Sequence, residues 1–285
     1  MAEEKRGSPW LSRAAVTAYV LVCLVVFVAL RFPYDAFRGN LEEAMSSVFR
    51  QPVTLGHVSY GFPYGLKVAG VSVSGSPFAR ELRLDPSLLP LLLGRLDLGM
   101  EALFDPGVLE GSIRTPLKSP GESLNLSARM DNLDARSFQP FMPPGMSPSG
   151  LVTGTVDIEG PAMNLRELGG RASVAWKDGY LPLPGSLLPL GGIPFSSLEV
   201  QTVMEKGLIT LEKMELSGDI SGTVTGTVRL MEPLSRSRLN LTGELGLPPE
   251  MAALLGGMEE PSPGGRARFS LRGTLESPRF RIMNR

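Results

Sequence analysis

Few side chains in this chain are equipped for chemistry, and none stands in a pattern that chemistry requires. His57 is the only histidine. It falls in a run that reads as a strand, where a structural or exposed role fits better than general-base work. Asp131 and Asp134 flank Asn132 and Leu133, and turn or capping roles explain them better than a catalytic carboxylate pair. Cys23 is the only cysteine, so neither a disulfide framework nor a site of several Cys and His can be assembled within one chain. No H-E-x-x-H, G-x-S-x-G, Walker loop or G-x-G-x-x-G stands where a strand-to-helix turn would support it. Asn125-Leu126-Ser127 and Asn240-Leu241-Thr242 match the glycosylation sequon, a triplet that often arises by chance. We therefore expect no catalytic, cofactor-binding or metal-binding residues, and no enzyme.

Composition points to a different kind of work. The chain has 285 residues, enough to bury a sizeable core in one or two domains. Its 28 Lys+Arg and 29 Asp+Glu nearly cancel, which gives no reason to expect a nucleic-acid partner. With 33 Gly and 25 Pro the chain is turn-rich rather than helical, yet apolar residues are plentiful throughout.

The elements follow from spacing. Ala14 to Leu30 (AAVTAYVLVCLVVFVAL) carries no charge, and about 17 residues at ~1.5 Å each span ~26 Å, slightly less than a ~30 Å hydrocarbon core. Trp10 and Phe32 extend it into both interfaces, so we expect a transmembrane anchor over 14–32, with Trp10, Val16, Val20, Leu24, Phe27, Leu30 and Phe32 as its lipid-facing markers. Lys5, Arg6 and Arg13 place residues 1–13 in the cytoplasm by the positive-inside rule. A cleaved signal peptide is the weaker alternative, because Ala29-Leu30-Arg31-Phe32-Pro33 lacks a small-residue cut site. A lipoprotein is weaker too, because Val20, Leu21 and Val22 precede Cys23.

Residues 33–51 read as an amphipathic helix. Pro33 ends the anchor, Asp35 can cap, and Phe37, Leu41, Met45, Val48 and Phe49 recur at helical spacing between Ala36 and Arg50. Capping the end of a β-structure suits it better than lying on the outer leaflet, because its polar face is acidic as well as basic.

From residue 52 to 285 the texture changes to short strands punctuated by Gly and Pro. Strands are predicted at 53–60, 66–73, 80–84, 95–101, 108–114, 123–132, 150–158, 170–176, 197–204, 208–216, 222–230, 238–245 and 266–275. In 223–230 (TVTGTVRL) one face is Thr, Thr, Thr, Arg and the other Val, Gly, Val, Leu. Val224, Val228, Leu230, Leu239 and Leu241 are thus candidates for an apolar groove or core face. Short connections without βαβ helices predict an antiparallel meander. Residues 87–94 (SLLPLLLG) suit a buried or rim helix. Residues 181–194 form an apolar loop whose prolines should stop the sheet, and which could touch a membrane or a partner or fold back over the sheet. Residues 139–149 are a possible hinge. Recurrent strand glycines, as in Gly70, Gly75, Gly150, Gly154, Gly218, Gly222 and Gly226, allow bulges and tight coiling. They fit ordinary strands needing turns and equally a long curved sheet with an apolar concave face.

Several runs carry a resemblance. Arg31-Phe32-Pro33-Tyr34-Asp35 after the apolar segment resembles the start of the periplasmic part of type II secretion system protein N, in its longer, delta-proteobacterial-like form. Residues 195–200 (FSSLEV), 205–211 (EKGLITL) and 214–226 (MELSGDISGTVTG) look like the same family and like the wider AsmA-like group of β-groove proteins. The ending 273–278 (GTLESP) is similar to the G-T-L-x-x-P close of AsmA-like repeats. The resemblance implies a single-pass protein of a bacterial inner membrane with its C-terminal domain in the periplasm, associated with secretion machinery and without known catalytic residues. The AsmA-like likeness implies lipid handling or envelope assembly. Two functions are accordingly expected: an accessory meeting secretion-system subunits, by strand addition at a sheet edge, or a carrier of phospholipid acyl chains in an apolar groove.

Overall fold

The computed structural model describes residues 19–20, 36, 38–61, 65–119, 121–142, 147–162, 164–182, 192–246 and 266–283. Fourteen strands form one antiparallel sheet in which spatial order equals chain order. They are β1 (Val53–Gly61), β2 (Gly65–Val73), β3 (Ser76–Pro86), β4 (Arg95–Leu103), β5 (Val108–Pro116), β6 (Leu124–Asp134) and β7 (Ser149–Gly160). The second half is β8 (Gly169–Pro182), β9 (Gly192–Glu205), β10 (Leu208–Ser217), β11 (Ser221–Arg229), β12 (Arg238–Gly246), β13 (Arg266–Thr274) and β14 (Pro278–Met283). β1 and β14 do not pair with each other, so the sheet is open rather than a barrel. Each short connection returns the chain beside the strand it has just left, which is why no crossover is needed.

Register sorts the side chains onto two faces. Met100 opposes Gly111, Ala128 opposes Val156, and Val174 opposes Val200 across successive ladders. Further on, Ile209 opposes Val228 and Val228 opposes Leu239. One face is therefore apolar from the first strands to the last, while the intervening positions carry Lys, Arg, Glu, Asp, Ser and Thr. In β1 and β2 the alternation changes phase: Leu55 and Val58, three apart in sequence, belong to one buried cluster, as do Val68 and Val71. The change falls at Gly56 and Gly70; Gly70 has φ +75°, a left-handed conformation that glycine adopts without steric cost.

The apolar face is covered at its N-terminal third. Helix α1 (Arg38–Phe49) and the 3₁₀ helix η1 (Ala135–Phe141) bring Leu41, Met45, Phe49 and Phe138 against a core that includes Val53, Leu55, Val68, Val73, Leu82, Phe104 and Leu133. Phe78 is the centre of an aromatic group, 6.1 Å from Phe49, 5.2 Å from Phe104 and 5.6 Å from Phe141, all near edge-to-face. α1 thus caps the β-structure, as its mixed-charge face suggests. Val48, counted in its apolar stripe, instead points to solvent at 78 % exposure. The reason is geometric: 41, 45 and 49 form a strict i, i+4 row, and 48 lies about 100° off it.

Two sequence expectations are corrected. The prolines at 182 and 194 do not stop the sheet: Tyr180 pairs with Pro194, Leu181 with Ile193 and Pro182 with Gly192. β10 reaches only Ser197 of β9 and β7 reaches only Tyr180 of β8, so this extension has a neighbour on one side only, where a proline costs no ladder bond. Of the two settings expected for the helix in residues 87–94, buried or rim, the structure takes the rim: α2 (Leu88–Leu92) has five residues and buries none of them. Finally, β14 has no counterpart among the predicted strands, because its six residues are too few to establish alternation.

Residues 139–149 connect β6 and β7, which pair directly from Leu124↔Gly160 to Asp134↔Leu151. Of the anchor residues, only Val20 is described; it and Tyr19 are helical and exposed. Trp10, Val16, Leu24, Phe27, Leu30 and Phe32 lie outside the described residues. Among the described residues no helix is long and apolar enough to cross a membrane.

Candidate functional site: two faces and an open edge

The residues with chemical potential are dispersed. His57 is exposed in β1, and Asn125 and Asn240 are exposed within β6 and β12. Asp131 accepts from Asn132 Nδ2 at 3.0 Å, and Asp134 caps η1 by accepting the Arg136 N–H at 2.9 Å. Asp134 thus serves local backbone geometry, and Asp131 holds a neighbouring side chain. Among the described residues no three of His, Cys, Asp and Glu converge as a metal site. Two shallow indentations of about 190 Å³ are lined mainly by polar groups such as Glu215, Thr223 and Glu244, or Asn125, Asp157 and Arg171.

The polar face is organised as short ion-pair ladders across strands. Lys67 Nζ is 2.8 Å from Glu81, which also holds Arg83 at 2.8 Å, and Arg83 reaches Glu101 at 3.2 Å. Glu81 is held below the ordinary carboxylate range, first by its bond from Lys67 and then by Arg83. Lys213 bridges Glu199 at 3.0 Å and Glu215 at 3.2 Å, and these two carboxylates raise its pKa. Arg268 pairs with Glu244 at 2.8 Å. Such exposed pairs add little stability individually. They do define which partner charges this face can accept.

One region breaks this pairing. Register sets Arg229 directly opposite Arg238, and Arg272 directly opposite Arg279. All four are exposed, as is Arg281, and among the described residues none has an ion-pair partner. Like charges directly opposite each other destabilise a strand pair. The far end of the sheet therefore carries a cluster of arginines that has no ion-pair partner among the described residues.

The two edges differ. At β1, the Val53 N–H donates to Ser46 Oγ at 2.9 Å and the Leu55 N–H donates to Glu42 Oε1 at 2.8 Å. The α1 side chains thus occupy donors that an incoming strand would need. That backbone bond is the main reason the Glu42 carboxyl titrates below its usual range, with Arg38 adding to it. β14, by contrast, has β13 as its one hydrogen-bonded neighbour among the described residues.

The apolar face beyond η1 is only partly buried: Leu198 and Phe269 are buried, while Val174, Val200, Val224, Val228, Leu239, Leu241 and Leu271 are half-exposed. Val224 and Val228 of β11 lie with Leu239 and Leu241 of β12 on this face, since Val228 opposes Leu239 and Leu241 opposes Gly226. Leu230, expected in the same set, lies just past the end of β11 and donates its N–H to Gly207 O at 2.9 Å. The described helices that pack on strands contact β1, β3, β4 and β7, and no described layer covers β8 to β14. What the sequence reading missed is the extent of this face: Ile158, Val174, Val200, Met214, Leu271 and Phe280 all belong to it. Their period-two spacing was visible, but which strand faces align depends on register and bulges.

No family model, curated protein or solved structure matches this chain.

Proposed function

We propose that this chain is a non-enzymatic accessory component of a type II protein secretion system, anchored in a bacterial inner membrane by its N-terminal apolar segment and acting in the periplasm through its β domain. The observation that carries this reading is the asymmetry of the sheet: one edge is occupied by α1 side chains, while the other, β14, has one neighbouring strand and arginines without an ion-pair partner among the described residues. A contact protein needs such a surface; a catalyst would need converging reactive groups. The resemblance carried by residues 31–35, 195–200, 205–211 and 214–226 supports the choice of secretion system. In vivo photocrosslinking from position 281 tests it. Adducts with secretion subunits are expected there, and a survey of surface positions that captures no secretion subunit at all would sink the reading.

A second reading is favoured by a separate observation, the uncovered apolar face of β8–β14. On this reading the sheet is an AsmA-like curved groove that shields acyl chains, with Val224, Val228, Leu239 and Leu241 among its contacts. The bulge in β10 and the strand glycines supply the local coiling that curvature needs. Seven strands at ~4.8 Å span about 29 Å, comparable with the ~30 Å hydrocarbon thickness of a two-leaflet bilayer, so one acyl chain fits. Phospholipid that survives delipidating washes in native mass spectrometry, and is lost in Val228→Glu/Leu241→Glu, is the expected result. Persistent absence of lipid would remove this reading and leave the first intact.

A further inference from the structure

Among the described residues, the densest exposed apolar surface lies not on the sheet face but at its rim. Leu89, Leu92 and Leu93 in the β3–β4 connection are 76 %, 84 % and 78 % exposed, and Leu88, Leu91 and Leu117 are also exposed. Monomers rarely leave so many aliphatic side chains together in water, and such patches mark interaction sites. The segment is held in a defined shape. Ser87 N–H donates to Asp97 O at 2.8 Å, Gly94 N–H to Leu91 O at 3.1 Å, and Leu117 N–H to Gly94 O at 2.9 Å. Gly94 closes α2 with φ +74°, the left-handed conformation usual just after a helix C-cap. A knob fixed by backbone bonds on three sides, with its leucines turned outward, is a built feature.

We propose that this knob is a membrane-contact tip, whose leucines enter the interface of an anionic lipid bilayer. Three observations select lipid over protein. The knob is purely aliphatic, whereas the anchors of protein interfaces are chiefly Trp, Tyr and Arg, with Leu under-represented. It offers no side-chain hydrogen-bonding group between Leu88 and Leu93, which suits hydrocarbon and gives a protein partner nothing polar to read. Arg95 and Lys118 are exposed beside it, where they meet anionic headgroups when the leucines enter the acyl region. Among the neighbouring carboxylates, Asp97 is engaged by Arg114 at 3.2 Å, while Asp85 and Glu122 are exposed at the strand end and in the adjoining loop. The tip lies at the strand end opposite the one where α1 joins β1, since Val53 pairs with Val73 and β3 runs away from that turn. The inference needs neither a secretion subunit nor an acyl chain on the sheet.

The test uses the full chain in proteoliposomes of phosphatidylglycerol and phosphatidylcholine, with Cys23→Ser so that one introduced cysteine can be labelled. An environment-sensitive nitrobenzoxadiazole probe is placed at Leu92→Cys and, separately, at Asp219→Cys in the β10–β11 turn at the other strand end. Nitroxide-labelled acyl chains should quench the first probe and not the second. Leu88→Asn/Leu89→Asn/Leu93→Asn should reduce quenching at 92 to the level seen at 219, while the thermal midpoint stays at the parent's because these side chains are exposed. A blue shift at 92 without nitroxide quenching would mean a protein partner or a second copy and would overturn the proposal. So would equal quenching at both positions, or no change at 92. Equally strong quenching in pure phosphatidylcholine would overturn the assignment of anionic lipid.

Discussion

Glu42 shows how one side chain can decide the behaviour of a sheet edge. Its carboxylate accepts the N–H of Leu55, a residue only 2 % exposed, so removing it strands a buried donor. Glu42→Ala should lower stability by about 1–3 kcal/mol, read as a shift in the urea midpoint and as faster hydrogen exchange at Leu55. The sign of the pH effect follows from the lowered carboxyl pKa. The contribution is fully present above the unfolded value of about 4.3 and is lost as pH falls through the lower folded value. The gap between wild type and variant should therefore narrow between neutral pH and strongly acidic solution; a constant gap would assign the effect to packing. Gly226 is the second decisive position. It holds φ +137° in β11, and a Cβ there would meet Asn240 O. Gly226→Ala should cost about 1–3 kcal/mol through backbone strain, whereas Thr225→Ala on the exposed face should stay within about 0.5 kcal/mol. Both thermal shifts are readily measured. The glycines were visible in the sequence as a recurrent pattern. Which of them needed a left-handed backbone was not, because that depends on the strand opposite.

At the scale of elements, α1 was legible from its 3.6-residue spacing, and its partner surface was not. Leu41, Met45 and Phe49 meet β-strand residues up to about ninety positions away, and no local pattern encodes such a meeting. The contrast between Phe49 and Val48 tests the packing. Phe49 is half-buried and 5.4 Å from Phe141, so Phe49→Ala should cost about 2 kcal/mol, less than a fully buried Phe. Val48→Ala should change the urea midpoint by no more than about 0.5 kcal/mol equivalent. Equal effects would mean that the helix lies on another face. The strands themselves were legible wherever Gly and Pro bracketed a period-two run. The β8–β9 extension was not, since a proline's meaning depends on whether a neighbouring strand is present on its N–H side.

At the scale of the molecule, stability should be graded along the sheet rather than uniform. A core under α1 and η1 secures the first strands, and the last strands rest on ladder bonds and an apolar face that is only partly buried. Hydrogen exchange should accordingly be slowest in β1–β6 and faster in β11–β14, with the difference shrinking if a ligand covers the apolar face. Uniform protection would argue for a continuous cover over the whole face. The sequence by itself determined the class: a Gly- and Pro-punctuated, mainly β chain in consecutive antiparallel strands, preceded by an amphipathic helix. Those properties are local, because alternation, turn chemistry and residue type can be read within a few positions. Only the tertiary structure decided that the strands form one open sheet of fourteen, that α1 side chains occupy one edge while β14 has β13 as its one described neighbour, and that four arginines oppose each other in two pairs. It also decided that the leucines of residues 87–94 face water rather than a core. Register, edge occupancy and exposure are relations between distant segments, so they come into being only when the chain folds.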